Sequence, residues 1–131
     1  FPGESESEFQ ETCDTVRRIG FSKIHVFPFS PRRTTPAAEM DDQVPPQIKA
    51  ERGRRLRQIE SELRSQYFHR LIGRRLQVLV ESADDQQQNR FLGTSCRYAP
   101  VQVTASSLVA GAFVDVIAST ADETGIVGSV P

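Results

Sequence analysis

Residues 73–81 read Gly73-Arg74-Arg75-Leu76-Gln77-Val78-Leu79-Val80-Glu81, and the chain changes character there. After Gly73, Leu76, Val78 and Val80 alternate with Gln77, Leu79 and Glu81. That period of two is the mark of a strand with one buried face. Downstream, residues 82–89 form a polar loop that includes Gln86, Gln87 and Gln88. Residues 91–104, 112–118 and 126–130 read as further strands, parted by turns rich in Ser, Gly, Asp and Thr. Four or five short strands in so short a stretch predict a small antiparallel β-barrel, because closure removes exposed edges. Phe91 is expected in its core. Arg97 and Tyr98, adjacent on a strand, are expected on opposite faces.

Upstream of Gly73 the period is helical. Ile48, Leu56, Ile59, Leu63, Tyr67 and Leu71 fall close to one stripe, opened by Pro45-Pro46, since Pro fits a first helical turn. Gly53 interrupts that helix at about 1 kcal/mol relative to Ala, and Gly73 is expected to end it. Residues 28–46 are rich in proline and lack periodicity, so they read as a loop. Lys23-Ile24-His25-Val26-Phe27 reads as a short strand leading into that loop. Ser5-Glu6-Ser7-Glu8 has the form of a capping box. Phe9, Cys13 and Val16 follow at helical spacing and Gly20 suits the C-terminal cap, so a helix is expected over 5–19. Helix followed closely by strand suits one unit of a larger α/β repeat.

The formal net charge of −1 over 131 residues hides strong segregation. Residues 1–14 carry Glu4, Glu6, Glu8, Glu11 and Asp14 and no base. Residues 45–75 carry nine bases against Glu51, Glu60 and Glu62, a local balance of about +6. Residues 76–131 are acidic again. This is a stripe of positive potential between acidic ends, not a generally basic chain. No apolar run approaches the roughly 18 residues of a membrane span. Cys13 and Cys96 are far apart without metal-ligand spacing and read as unpaired thiols of a cytoplasmic protein. No nucleophile–base pair stands out, and His25 and His69 read as structural or surface residues.

Phe1-Pro2-Gly3-Glu4, Gly20-Phe21 before a strand, Phe29-Ser30-Pro31-Arg32 with Thr35-Pro36-Ala37-Ala38, and Asp42-Gln43-Val44-Pro45 before Lys49-x-Glu51-Arg52 resemble, in order and spacing, the radical S-adenosylmethionine methylthiotransferases. The resemblance covers essentially the whole chain. It implies an α+β architecture: a terminal α/β unit of a truncated catalytic barrel over 1–44, a connecting basic helix over 45–72, and an OB-like β-barrel of the TRAM type over 73–131. The wording Lys23-Ile24-His25-Val26-Phe27-Pro28 looks most like the branch acting on threonylcarbamoyladenosine of transfer RNA beside the anticodon. The branches acting on isopentenyl-adenosine and on a ribosomal protein are close alternatives. The family's chemistry implies iron–sulfur clusters and S-adenosylmethionine. Two cysteines cannot build those clusters, so neither catalysis nor a resident cofactor is expected of this piece alone. The partners implied are a transfer-RNA anticodon stem-loop and the upstream radical and methylthiotransferase domains, with self-association through the α/β unit as a further expectation. One departure concerns the loop: the family usually has Gly where this chain has Thr34, ahead of Thr35-Pro36-Ala37.

By the resemblance Gly3, Glu4, Ser30 and Arg32 would face the adenosyl cofactor in the intact enzyme. An ordinary strand-to-helix turn and a solvated loop explain the same residues. Arg52, Arg54, Arg55, Arg57, Arg64, Arg70, Arg74 and Arg75 outnumber the acids around them. They read either as a solvated helix or as contacts to RNA phosphates, with Arg55, Arg70, Arg74, Arg75, Arg97 and Tyr98 the candidates for RNA. The competing expectation is a structural segment whose arginines pair with acids such as Glu4, Glu8 or Asp14. The direction in which the arginines point separates the two.

Overall fold

The computed structural model describes residues 1–85 and 87–131, so Gln86 of the expected polar loop lies outside the described residues. The order is helix α1 (Glu6–Ile19), helix α2 (Pro36–Glu39), helix α3 (Pro46–His69), then strands β1 (Arg75–Ala83), β2 (Arg90–Ser95), β3 (Pro100–Thr104), β4 (Phe113–Ala121) and β5 (Ile126–Ser129). Two compact units result, Phe1–Leu63 and Arg64–Pro131, and the division falls inside α3. The helix expected as a segment of its own is thus shared: its first part packs with α1, its last turn with the barrel.

In the first unit the Ser5 hydroxyl accepts from the Glu8 amide and the Glu8 carboxylate accepts from the Ser5 amide, a complete capping box. The Ser5 hydroxyl and amide hold the Glu8 carboxyl below its ordinary pKa. Gly20 closes α1 in the left-handed conformation at φ 71°, donating to Val16. Phe9 and Cys13 of α1 are buried against Ile59 and Leu63 of α3, with Val16, Ile24 and Leu56 around them. The apolar face of the α/β unit therefore packs on the long helix.

The strand expected at Lys23–Phe27 is not formed: residues 23–27 join no ladder. A strand needs a hydrogen-bonded neighbour, and among the described residues every ladder belongs to β1–β5. Only Ile24 and Val26 of this segment are partly covered. The proline loop hides a short helix, α2, with Pro36 at its start. Thr34 just before it sits at φ 69°, in the left-handed region. A β-branched residue is strained there and glycine is not, which gives a physical reason for the glycine expected at this position. Thr34→Gly is expected to raise stability by about 1 kcal/mol, read as a higher midpoint in urea. An unchanged or lower midpoint would show that the turn carries no strain.

In the second unit five strands close into a barrel in the order β1-β2-β3-β5-β4. Four ladders are antiparallel, and the closing β3–β5 ladder is parallel. The expected strand over 91–104 is split into β2 and β3 by a tight turn at 96–99, and β1 runs on to Ala83, with a bulge at Glu81. Leu76, Val78, Val101, Val103, Val116, Ala118 and Ile126 fill the interior. Phe68 and Leu71 cap that core from the end of the helix and the turn beyond it. The helix stops at His69, not Gly73; Gly73, at φ 79°, then donates to Ala118 and leads the chain onto the barrel. Phe91, expected inside, is only partly buried and packs against the core from its margin.

Candidate nucleic-acid interface

Gly3, at φ 78°, donates its amide to Asp42 at 2.7 Å and pins the N-terminal turn. The Glu4 carboxylate accepts from Arg52 at 2.8 Å and lines a cavity of about 160 Å³ with Phe1, Phe29 and Lys49. Ser30 lines the neighbouring cavity, and Arg32 is exposed beside Thr35, which bonds its carbonyl at 2.8 Å. The cavities of Glu4 and Ser30 share Phe29 and Lys49, and neither is lined by Gly3 or Arg32.

The arginines divide sharply. Arg52 is only 11% exposed; it pairs with Glu4 at 2.8 Å and Glu6 at 3.2 Å, and its guanidinium lies 5.0 Å from the Phe9 ring centre. Arg55 pairs with Glu6 at 3.4 Å, bonds Gln10 and lies 5.6 Å from the same ring centre. These two clamp α1 to α3. Arg55, expected at RNA, makes these contacts with its side chain still 41% exposed.

Arg70, Arg74, Arg75 and Arg97 are exposed, and none makes an ion pair among the described residues. The fold brings them to one end of the barrel. The Arg70 guanidinium lies 5.9 Å from the Tyr67 ring centre, and the Tyr67 hydroxyl donates to the Arg97 carbonyl at 2.9 Å. Arg75 begins β1 opposite Ile117 of β4, and the carbonyl of Arg74, just before it, accepts from the Ala118 amide at 3.1 Å. Concentrated guanidinium groups with no acid partner suit a polyanion.

Arg97 and Tyr98 lie on the turn between β2 and β3, not on a strand, so strand alternation does not apply to them. The buried Ser95 hydroxyl accepts from the Arg97 amide at 3.4 Å and the Ala99 amide at 3.1 Å. The turn is thereby fixed, with Tyr98 at φ 57° and 91% exposed. Sequence reasoning missed Tyr67 as the link between Arg70 and this turn. It missed Phe113 as well, which is 67% exposed on β4. A groove of about 230 Å³ lies between Tyr98 and Phe113, floored by Gln77 and Leu79 of β1.

Among the described residues no three His, Cys, Asp or Glu side chains form a metal site. Cys13 is buried in α1 and Cys96 is exposed on the turn. Two such thiols do not fit the several-cysteine ligation of an iron–sulfur cluster. Among the described residues no helix is long and apolar enough to cross a membrane.

No protein-family model matches the chain. Individual proteins do. Threonylcarbamoyladenosine tRNA methylthiotransferase MtaB of Bacillus subtilis is 36% identical over 118 residues, covering 88% of this chain and 26% of that protein. A tRNA-2-methylthio-N(6)-dimethylallyladenosine synthase of Acetivibrio thermocellus is 32% identical over 130 residues, covering 99% of this chain and 27% of its own length. The ribosomal protein uS12 methylthiotransferase RimO of Desulforamulus reducens is 35% identical over 136 residues, covering 99% and 31%. The chain spans between about a quarter and a third of the length of these relatives.

Proposed function

We propose, from the premise that this chain belongs to the methylthiotransferase family, that it is the RNA-docking C-terminal portion of a radical S-adenosylmethionine enzyme that adds a methylthio group to a modified adenosine beside the anticodon of a transfer RNA. Threonylcarbamoyladenosine is the nucleoside the proposal favours, on the wording of residues 23–28. The cytoplasm is the proposed location. The cluster and the cofactor would be held mainly by upstream domains, where Gly3, Glu4, Ser30 and Arg32 would border the adenosyl site. The observation that carries the docking role is the set Arg70, Arg74, Arg75 and Arg97, exposed together at one end of the barrel with no ion-pair partner among the described residues. Guanidinium groups so placed hold phosphates without reading sequence and release counterions on binding.

The structural reading keeps a part of the chain. Arg52 and Arg55 are tied to Glu4, Glu6 and Gln10, so in the first unit the basic helix serves packing. The two readings separate in one titration. An anticodon stem-loop added to the 131-residue chain is expected to bind weakly at low salt and to lose most of its affinity at moderate salt. Absence of binding at both would leave the structural reading alone.

A further inference from the structure

The outward face of β1 places Arg75, Gln77, Leu79 and Glu81 in a row, since alternate residues share a face. Register sets their neighbours. Leu79 lies between Thr94 of β2 and Phe113 of β4, and Gln77 lies opposite Asp115. On the other side of Gln77 its carbonyl receives the Cys96 amide at 2.7 Å, which seats the turn carrying Tyr98 beside the groove. Two aromatic rings, 91% and 67% exposed, thus flank one apolar floor. Leaving two such rings in water is unfavourable by the apolar area they expose. Tyr98 is also kept in a left-handed conformation that non-glycine residues seldom adopt, and Ser95 and Tyr67 hold that turn.

The charge along this face is graded. Arg75 stands on this face at the start of β1, Arg74 just before it, and Arg97 is next to Tyr98. Farther along the strand Glu81 accepts from Thr94 at 2.8 Å, and Asp115 is the acid opposite Gln77. A strand of phosphates is favoured at the arginine end and disfavoured past Glu81. What fits between is a flat, largely uncharged ring with polar edges, attached to an anionic backbone.

We infer that the groove between Tyr98 and Phe113 receives one unpaired base of an RNA whose phosphates lie on Arg74, Arg75 and Arg97. This deepens the docking role and rests on it. The base stacks on one of the two rings, as bases do on the exposed aromatics of single-strand binders. Gln77 and Asp115 stand at its edge, and the Asp115 carboxylate suits the exocyclic amino group of cytosine or adenine.

The test compares a short oligocytidylate with the same ribose–phosphate chain lacking its bases, by fluorescence anisotropy on the full chain. The oligocytidylate is expected to bind about tenfold more tightly than the abasic strand. Tyr98→Ala and Phe113→Ala are expected to abolish that preference while leaving abasic binding unchanged, and Tyr98→Phe is expected to keep it. With 3-fluorotyrosine in place of Tyr67 and Tyr98, the fluorine resonance that Tyr98→Phe removes is expected to shift on adding oligocytidylate and not on adding the abasic strand. Equal affinity for the two strands, or a preference that survives both alanine substitutions, overturns the base groove and leaves phosphate docking standing. Binding of neither strand overturns both. If sedimentation shows a dimer that either alanine substitution dissolves, the groove is a self-association face and the inference fails.

Discussion

Gly93→Ala is expected to lose the barrel's thermal transition. Gly93 is buried in β2, between Val80 of β1 and Val101 of β3. A methyl group there would run into the Leu79 carbonyl oxygen and lie 2.9 Å from a Val78 side-chain carbon. Leu79 is held on both sides, by Thr94 and by Phe113, so its backbone cannot withdraw without breaking a ladder. Val78 is fully buried in the core and has nowhere to turn. Overpacking of this kind costs about 3 kcal/mol or more, a large share of what a small domain has in hand. Circular dichroism of the whole chain is the measurement. A β-signal that melts as it does in the parent chain would mean that the barrel is not closed at β1–β2 as described.

Arg52→Met is expected to loosen the first unit by about 2 kcal/mol. The arginine is nearly buried and joins three things at once: the Glu4 carboxylate and carbonyl at the N-terminal turn, Glu6 on α1, and the face of Phe9. Methionine keeps the packing and removes the charge, leaving Glu4 only the N-terminal ammonium at 4.0 Å. Loss of one member of a buried pair is costlier, but Glu4 is about a quarter exposed and water screens part of the loss. Amide exchange of Phe9–Val16 is expected to speed up while the amides of β1–β5 keep their rates. Unchanged protection of α1 would show that Phe9, Cys13, Ile59 and Leu63 hold the unit without the ion pair.

Where local chemistry decides structure, the residues were legible. The Ser5–Glu8 box, Gly20, Pro46 and the alternation of Leu76, Val78 and Val80 each act within a few positions, and each appears in the fold where expected. Lys23–Phe27 has strand composition yet joins no ladder, because pairing is a long-range property that composition does not supply. Phe68 was overlooked because the helix serves two cores: Ile59 and Leu63 face α1, whereas Phe68 and Leu71 turn into the barrel. One stripe could not describe both. The site was partly legible for the same reason. Charge counting found Arg70, Arg74 and Arg75, but it could not tell that Arg52 and Arg55 are spent on Glu4 and Glu6. Tyr98 was singled out as a candidate on the assumption of a strand, whereas the Ser95-centred turn that exposes it depends on where β2 ends.

The docking role stands or falls on how binding responds to salt. With an anticodon stem-loop and the full chain, the logarithm of affinity is expected to fall linearly with the logarithm of salt concentration, each phosphate contact contributing about 0.7 to 0.9 to the slope. Replacing Arg74 and Arg75 together with alanine is expected to flatten that slope by about 1.4 to 1.8, with little change in the barrel's melting. A slope identical in parent and double variant would contradict the assignment of phosphates to the start of β1.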